Sequence, residues 1–195
     1  MTTAAKVISV ARSQIGYREG ANNNTKYGKW YGLNNQPWCA MFVSWVAAQA
    51  GASKIIPKHA YTPAGAQWFK DRGQWHSSPR AGDIVYFDFP GDGVNRISHV
   101  GIVEAVQKDG SIITIEGNTN SAGSREGNGV WRKVRKTGIK GYGRPKYTRV
   151  LKSNTTIAKE VIAGKWGYGA DRVNRLTRAG YNAAAVQKIV NKLVS

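Results

Sequence analysis

Apolar residues in this 195-residue chain recur first at helical spacing, then at strand spacing, then at helical spacing again. Ala4, Val7, Ile8, Ala11 and Ile15 follow a helical period that Gly16 ends. Residues 20–37 read as a loop rich in Asn, Gly and aromatics, closed by Pro37. Ala40-Met41-Phe42-Val43-Ser44-Trp45-Val46-Ala47-Ala48 reads as a mostly buried helix stopping before Gly51, and Thr62-Pro63 starts another that carries Trp68 and Phe69. From Asp83 the period shortens. Ile84–Phe89, Ser98–Val106, Ser111–Glu116, Val130–Arg135 and a weaker stretch near Gly141–Tyr147 read as short strands between turns. Helices followed by strands predict an α+β domain in which N-terminal helices pack on an antiparallel sheet. After Lys152-Ser153-Asn154-Thr155-Thr156, three helical patterns follow: Ile157, Val161 and Ile162; Val173 and Leu176; Val186, Ile189, Val190 and Leu193. So small a three-helix bundle must draw much of its core from its Trp and Tyr residues. The expected division is 1–149, a linker at 150–155, and 156–195, with no internal repeat.

Composition narrows the partners. The chain carries 29 Lys+Arg against 11 Asp+Glu, a net charge of +18 spread along its length, with Arg132–Arg149 locally dense. Such a field draws a protein towards polyanions: nucleic acid, an anionic membrane, or the anionic polymers of a bacterial wall. No helix-turn-helix, RNA-recognition or zinc motif accompanies the charge, so nucleic acid is not the expected partner. No run approaches the roughly 18 apolar residues of a membrane span, so stable membrane insertion is not expected. The first residues, Met-Thr-Thr-Ala-Ala-Lys-Val-Ile-Ser, lack a basic stretch followed by an apolar run, and no signal peptide is read there. A monomer is expected.

There is 1 cysteine, which excludes an intrachain disulfide and leaves a buried filler or a reactive thiol. Cys39 begins a predicted helix directly after Pro37-Trp38, where unpaired N–H groups and the helix dipole favour a thiolate and can hold an oxyanion. Cysteine hydrolysis then needs a base and a third group to orient it. Of the 3 histidines, His59 beside Pro57 and His76 before Pro79 read as exposed loop residues. His99 starts a strand, as a polar residue at a sheet edge or as a catalyst. The turn Gln107-Lys108-Asp109-Gly110 suggests a hairpin to Ile112–Asn118, placing residue 99 opposite residue 116, or four positions away with a tighter Asp109-Gly110 loop. In either register His99, Glu116 and Asn118 project to one side and Ile113 and Ile115 to the other. That side is a site or a solvated outer face.

Pro37-Trp38-Cys39-Ala40-Met41-Phe42-Val43-Ser44-Trp45, Arg80-Ala81-Gly82-Asp83-Ile84-Val85-Tyr86-Phe87, Ser98-His99-Val100-Gly101-Ile102-Val103 and Glu116-Gly117-Asn118 resemble the CHAP domain. That family comprises papain-like cysteine amidases and peptidases common in phage endolysins. The resemblance spans residues 4–148. It implies Cys39 as nucleophile, His99 as general base and acid, Glu116 orienting the imidazole and Asn118 assisting, with Trp38 as a substrate contact. Some members carry an Asp-rich calcium loop, but here the stretch from Asn22 to Tyr27 has no carboxylate. Asn side chains and carbonyls alone hold calcium weakly, so no metal or other cofactor is expected to be required.

Residues 156–194 resemble the CW-seven type of cell-wall-binding repeat, through Ile157–Gly167, Asp171-Arg172-Val173-Asn174-Arg175-Leu176 and Ala179-Gly180-Tyr181 to Gln187. The implied ligand is the glycan–peptide unit of peptidoglycan. Asp171 and Arg175 are the candidate contacts, because arginine forks match carboxylates; Trp166 reads as core. The resemblances together imply a phage-type endolysin, a peptidoglycan amidase (N-acetylmuramoyl-L-alanine amidase) or endopeptidase. Such an enzyme would be made in the host cytoplasm and act on the wall after release through the membrane. The alternative is a non-catalytic wall-binding protein or bacteriocin component with an inactive hydrolase fold.

Overall fold

The computed structural model describes residues 2–148 and 151–195. Its contacts divide the chain after Thr148 into two compact units.

The first unit is α+β. Helix α1 (Ala4–Arg12) is capped by the Thr3 hydroxyl on Lys6 N and buries Val7, Ile8 and Ala11. The segment read as loop holds a short helix, α2 (Lys26–Tyr31), started by the Thr25 hydroxyl accepting from Gly28 N and ended by left-handed Gly32. Six residues are too few for a period to show, and the capping residues are what reveal it. Helix α3 (Cys39–Gln49) is buried almost all round and packs on α1 and α2. Helix α4 (Thr62–Lys70) follows, with proline in its first turn.

Six strands then form one antiparallel sheet: β1 (Trp75–His76), β2 (Ile84–Phe87), β3 (His99–Val106), β4 (Ile112–Thr119), β5 (Gly129–Arg135) and β6 (Ile139–Gly143), in the order β1-β6-β2-β3-β4-β5. The two-residue β1 was not anticipated; it pairs with β6 and takes up His76, which had been read as loop. The face carrying Ile84, Tyr86, Val100, Ile102 and Ile115 joins the helices in the main core. Val85, Phe87, Val103, Ile112 and Tyr142 form a second cluster.

Neither register expected for the β3–β4 hairpin occurs. Beside the turn Val106 faces Ile112 and Ala105 faces Ile113, but beyond a bulge Val103 faces Thr114 and Ile102 faces Ile115. Continued past the bulge, that register sets Gly101 beside Glu116 and His99 beside Asn118. A one-residue shift flips every following side chain to the other face. Without the bulge, His99 and Glu116 would point to opposite sides. Glu104 occupies the skipped position, buried and paired with Arg12 and with Arg132 (Nε to Oε2, 2.6 Å). A buried carboxylate is tolerable only when so neutralised, and here the pairing pins the bulge.

The second unit holds α5 (Asn154–Ile162), α6 (Gly169–Arg178) and α7 (Ala183–Val194). Helix α5 begins at Asn154, capped by Ser153, within the stretch read as linker. Ile157, Ala158, Val161, Leu176, Tyr181, Val186 and Val190 form its core, with Trp166 half-buried against Tyr181.

Candidate active site

Cys39 is the first residue of α3, and no side chain caps that helix. Its first-turn N–H groups therefore lack a side-chain partner at the very place where the sulfur sits. The residue keeps 5% of its surface and lines a cleft of about 270 Å³ shared with Gln36, Tyr61, Arg96, Ser98 and Arg125. Gly117 lets β4 approach the base of α3: a Cβ there would meet Phe42 and Trp38 at 2.6–2.7 Å.

His99, at the head of β3, is fully buried. Its Nε2 lies 3.0 Å from Glu116 Oε2; its Nδ1 hydrogen-bonds to no described residue, and Cys39 lies close enough to favour the charged ring. Glu116 is itself held on every side. Arg135 donates from Nε to Oε1 at 2.9 Å and from Nη2 to Oε2 at 2.5 Å, and the Thr114 hydroxyl donates to Oε1 at 2.5 Å. Gly101 makes the His99–Glu116 contact sterically possible, since a Cβ at that position would lie 2.7 Å from Glu116 Cγ.

These contacts set the charge states. Burial disfavours the imidazolium of His99, but Cys39 and Glu116 outweigh it and raise the ring to about 9. Burial likewise pushes Glu116 upward, yet Arg135 and His99 overcome it and hold the carboxyl at about 2. The result is a carboxylate ionised at neutral pH behind an imidazole that readily holds a proton.

The structure thus brings Cys39, His99 and Glu116 together, with the hydrogen bond made between His99 and Glu116. Asn118 is not part of this group. It is buried with a left-handed backbone (φ 57°), in the stretch where β4–β5 pairing shifts between Glu116 and Thr119. Neither polar atom of its amide hydrogen-bonds to a described residue, so it gives the imidazole no such support. The expectation for Trp38 as a substrate contact is corrected: the ring is wholly buried, stacked on Tyr27 (5.2 Å between centroids), and donates to Glu19 at 2.6 Å. His59 is also corrected from exposed to buried. Its backbone N–H donates to the Ser44 hydroxyl, its Nδ1 faces Pro57 O at 3.0 Å, and burial lowers its basicity.

Arg135 went unnoticed in the sequence because it sits at the end of β5 inside a basic stretch that looks like solvated charge. Its partner was legible as an acid on an apolar strand; only the pairing with β4 joins them.

In the second unit Asp171 and Arg175 are both exposed on α6, 3.6 Å apart. Tyr168 is 75% exposed, with the Arg172 guanidinium 5.8 Å from its ring centre. Gly167 and Gly169, both with positive φ, present it outward and were the available sequence signal.

The Asn22–Tyr27 stretch does not assemble calcium ligands. Asn24 Oδ1 accepts from Asn34, Asn22 O accepts from Asn35, and the Glu19 carboxylate is taken by Trp38. Among the described residues no three His, Cys, Asp or Glu side chains cluster as metal ligands, and no helix is long and apolar enough to cross a membrane.

Comparison with known proteins adds independent findings. The CHAP domain family matches residues 30–118, and the CW_7 repeat family matches residues 155–194. The protein named Lysozyme from Streptococcus phage Cp-7 is 54% identical over 43 residues, which are 22% of this chain and 13% of that relative's length. No solved structure matches the chain.

Proposed function

We propose, from the premise that this chain carries a CHAP domain followed by a CW_7 repeat, that it is a phage-type endolysin cutting an amide bond of bacterial peptidoglycan through Cys39. One observation carries the reading. The lone thiol of the protein heads an uncapped helix beside an imidazole whose far nitrogen is locked by an ionised, arginine-clamped carboxylate.

The chemistry follows from those positions. The Cys39 sulfur attacks the scissile carbonyl carbon, and its proton resides on His99. The oxygen takes the negative charge and is met by the N–H groups at the head of α3. His99 delivers the proton to the departing amine nitrogen as the C–N bond breaks, leaving a thioester. Water, deprotonated by His99, then attacks the thioester carbon. Collapse releases a carboxylic acid and restores the thiol. Glu116 fixes the ring's direction and favours its charged form, and Arg135 holds Glu116. Amidase and endopeptidase activities share these steps and differ only in which amide the cleft admits.

The second unit brings the enzyme to its substrate. Tyr168, Asp171 and Arg175 offer a ring for a sugar face and charges for the peptide stem, and the positive charge of the chain suits an anionic wall. A single such module gives no avidity. The enzyme works as a monomer without a required metal, on the wall side of the membrane after release from the cytoplasm.

Mass spectrometry of fragments released from defined peptidoglycan tests the proposal. The wild type should generate new amine and carboxylate termini, and Cys39→Ala should generate none while still binding walls. Equal lysis by Cys39→Ala would favour a non-catalytic wall-binding protein. New reducing sugar ends without new amines would refute amide cleavage.

A further inference from the structure

We propose that Arg96 and Arg125 select substrates by binding a free carboxylate of the peptide stem next to the scissile amide. This rests on the hydrolase reading above and concerns what its cleft accepts.

The wall of the Cys39 cleft contains two arginines and no acidic residue. Arg96 is exposed, and its guanidinium lies 5.2 Å from the ring centre of Tyr61, which is 55% exposed beside it. A guanidinium held over an aromatic face by cation–π attraction is restrained in position while it keeps N–H groups for a further partner. One Arg96 nitrogen donates to Ile97 O at 3.1 Å, and among the described residues no carboxylate forms an ion pair with it. Arg125 reaches Asp92 at 3.4 Å and Glu126 at 2.7 Å. It also lines an adjoining pocket of about 350 Å³ with Phe89 and Asp92, so a substrate crossing from one pocket to the other passes it.

The neighbourhood already stabilises one carboxylate. Asp92 accepts from the Ser98 hydroxyl at 2.5 Å, and Arg125 and Arg96 help hold its carboxyl below the ordinary range. Arg125 shares a second partner with solvent: Glu126 is 56% exposed, a surface pair that an incoming carboxylate can replace. Arg96 brings a charge with no such partner. A guanidinium fork matches a carboxylate in shape and charge, whereas an amide offers it only one oxygen without the charge. In peptidoglycan the stem peptide supplies free carboxylates close to its amide bonds. The glycan does not, because the lactyl carboxyl of muramic acid is itself the amide.

The test uses full-length protein and soluble muropeptides of one sequence, in which each stem carboxylate is in turn free or blocked as its primary amide. The wild type should favour the free form at one position by about tenfold or more in kcat/KM, as loss of a charged hydrogen-bonding pair implies. Arg96→Gln should erase that preference by lowering kcat/KM on the free form towards its value on the amidated form, and Arg125→Gln should weaken it. Arg96→Lys, which keeps the charge and loses the fork, should fall between. Equal wild-type rates on free and amidated forms at every position, or a preference that survives Arg96→Gln, would overturn the assignment. If the wild type cuts no form at all, the hydrolase reading itself fails and takes this assignment with it, an outcome distinct from cleavage without preference.

Discussion

Replacing Arg135 by Met should expose how the buried charge chain contributes to stability. Arg135 provides two of the four hydrogen bonds that Glu116 accepts, from a position where the carboxylate has no water to fall back on. The carboxyl stands at about 2 against an ordinary 4.5. At 1.36 kcal/mol per unit, that depression corresponds to about 3 kcal/mol of folding stability at neutral pH. With Arg135 supplying the largest favourable part, the substitution should cost about 2–3 kcal/mol, in line with breaking a buried pair. The depressed value sets the direction with pH. Stability from this carboxylate is complete above 4.5 and disappears as pH falls through about 2. The gap between wild type and Arg135→Met should therefore narrow by about 2 kcal/mol between pH 5 and pH 2.5, because the variant's Glu116 protonates first. What remains reflects the lost cation–π contacts of Arg135 with Phe87 and Phe89. Urea unfolding followed by tryptophan fluorescence suits the measurement, since of the 7 tryptophans only Trp166 lies in the second unit. A gap below about 0.5 kcal/mol at pH 7, or one that stays constant on acidification, would refute the reasoning.

The same geometry makes further predictions. Gly101→Ala should reduce wall lysis at least about tenfold and lower the urea midpoint as well, because its Cβ drives Glu116 away from His99 and strains its buried contacts; a turbidity assay under conditions where the denaturation curve shows the variant folded would separate the two effects. Glu104→Gln should cost about 1–3 kcal/mol and lower activity together, by releasing Arg12 and Arg132 and loosening the bulge that aligns His99 with Glu116. Full activity in a destabilised variant would show that the register has another anchor. On the alkaline side, the raised His99 contributes stability below 6.5 that is lost as pH rises through about 9, and lysis should decline over the same interval. Incubation with a chelator should leave the lytic rate unchanged; loss restored by calcium would overturn the metal-free mechanism.

The α+β pattern, the helix headed by Cys39, the acid on an apolar strand and the trailing three-helix unit could all be read from local sequence. Each depends on periodicity or on a residue's immediate neighbours. Short elements escaped it: α2 and β1 hold six and two residues, below the length at which a period declares itself. Trp38 and His59 were misjudged because burial belongs to the surroundings; an aromatic beside a nucleophile and a histidine beside a proline carry no mark of depth. Parity between β3 and β4 came out right although neither expected register occurs, and the bulge at Glu104 is why. Which atoms touch was settled by tertiary structure alone. Arg135 reaches Glu116 from the neighbouring strand, and Arg96 and Cys39 line one cleft built from segments far apart in the chain. A side chain's chemistry is written in its own type, but its ionisation and partners depend on what long-range packing sets beside it and how much water that packing excludes.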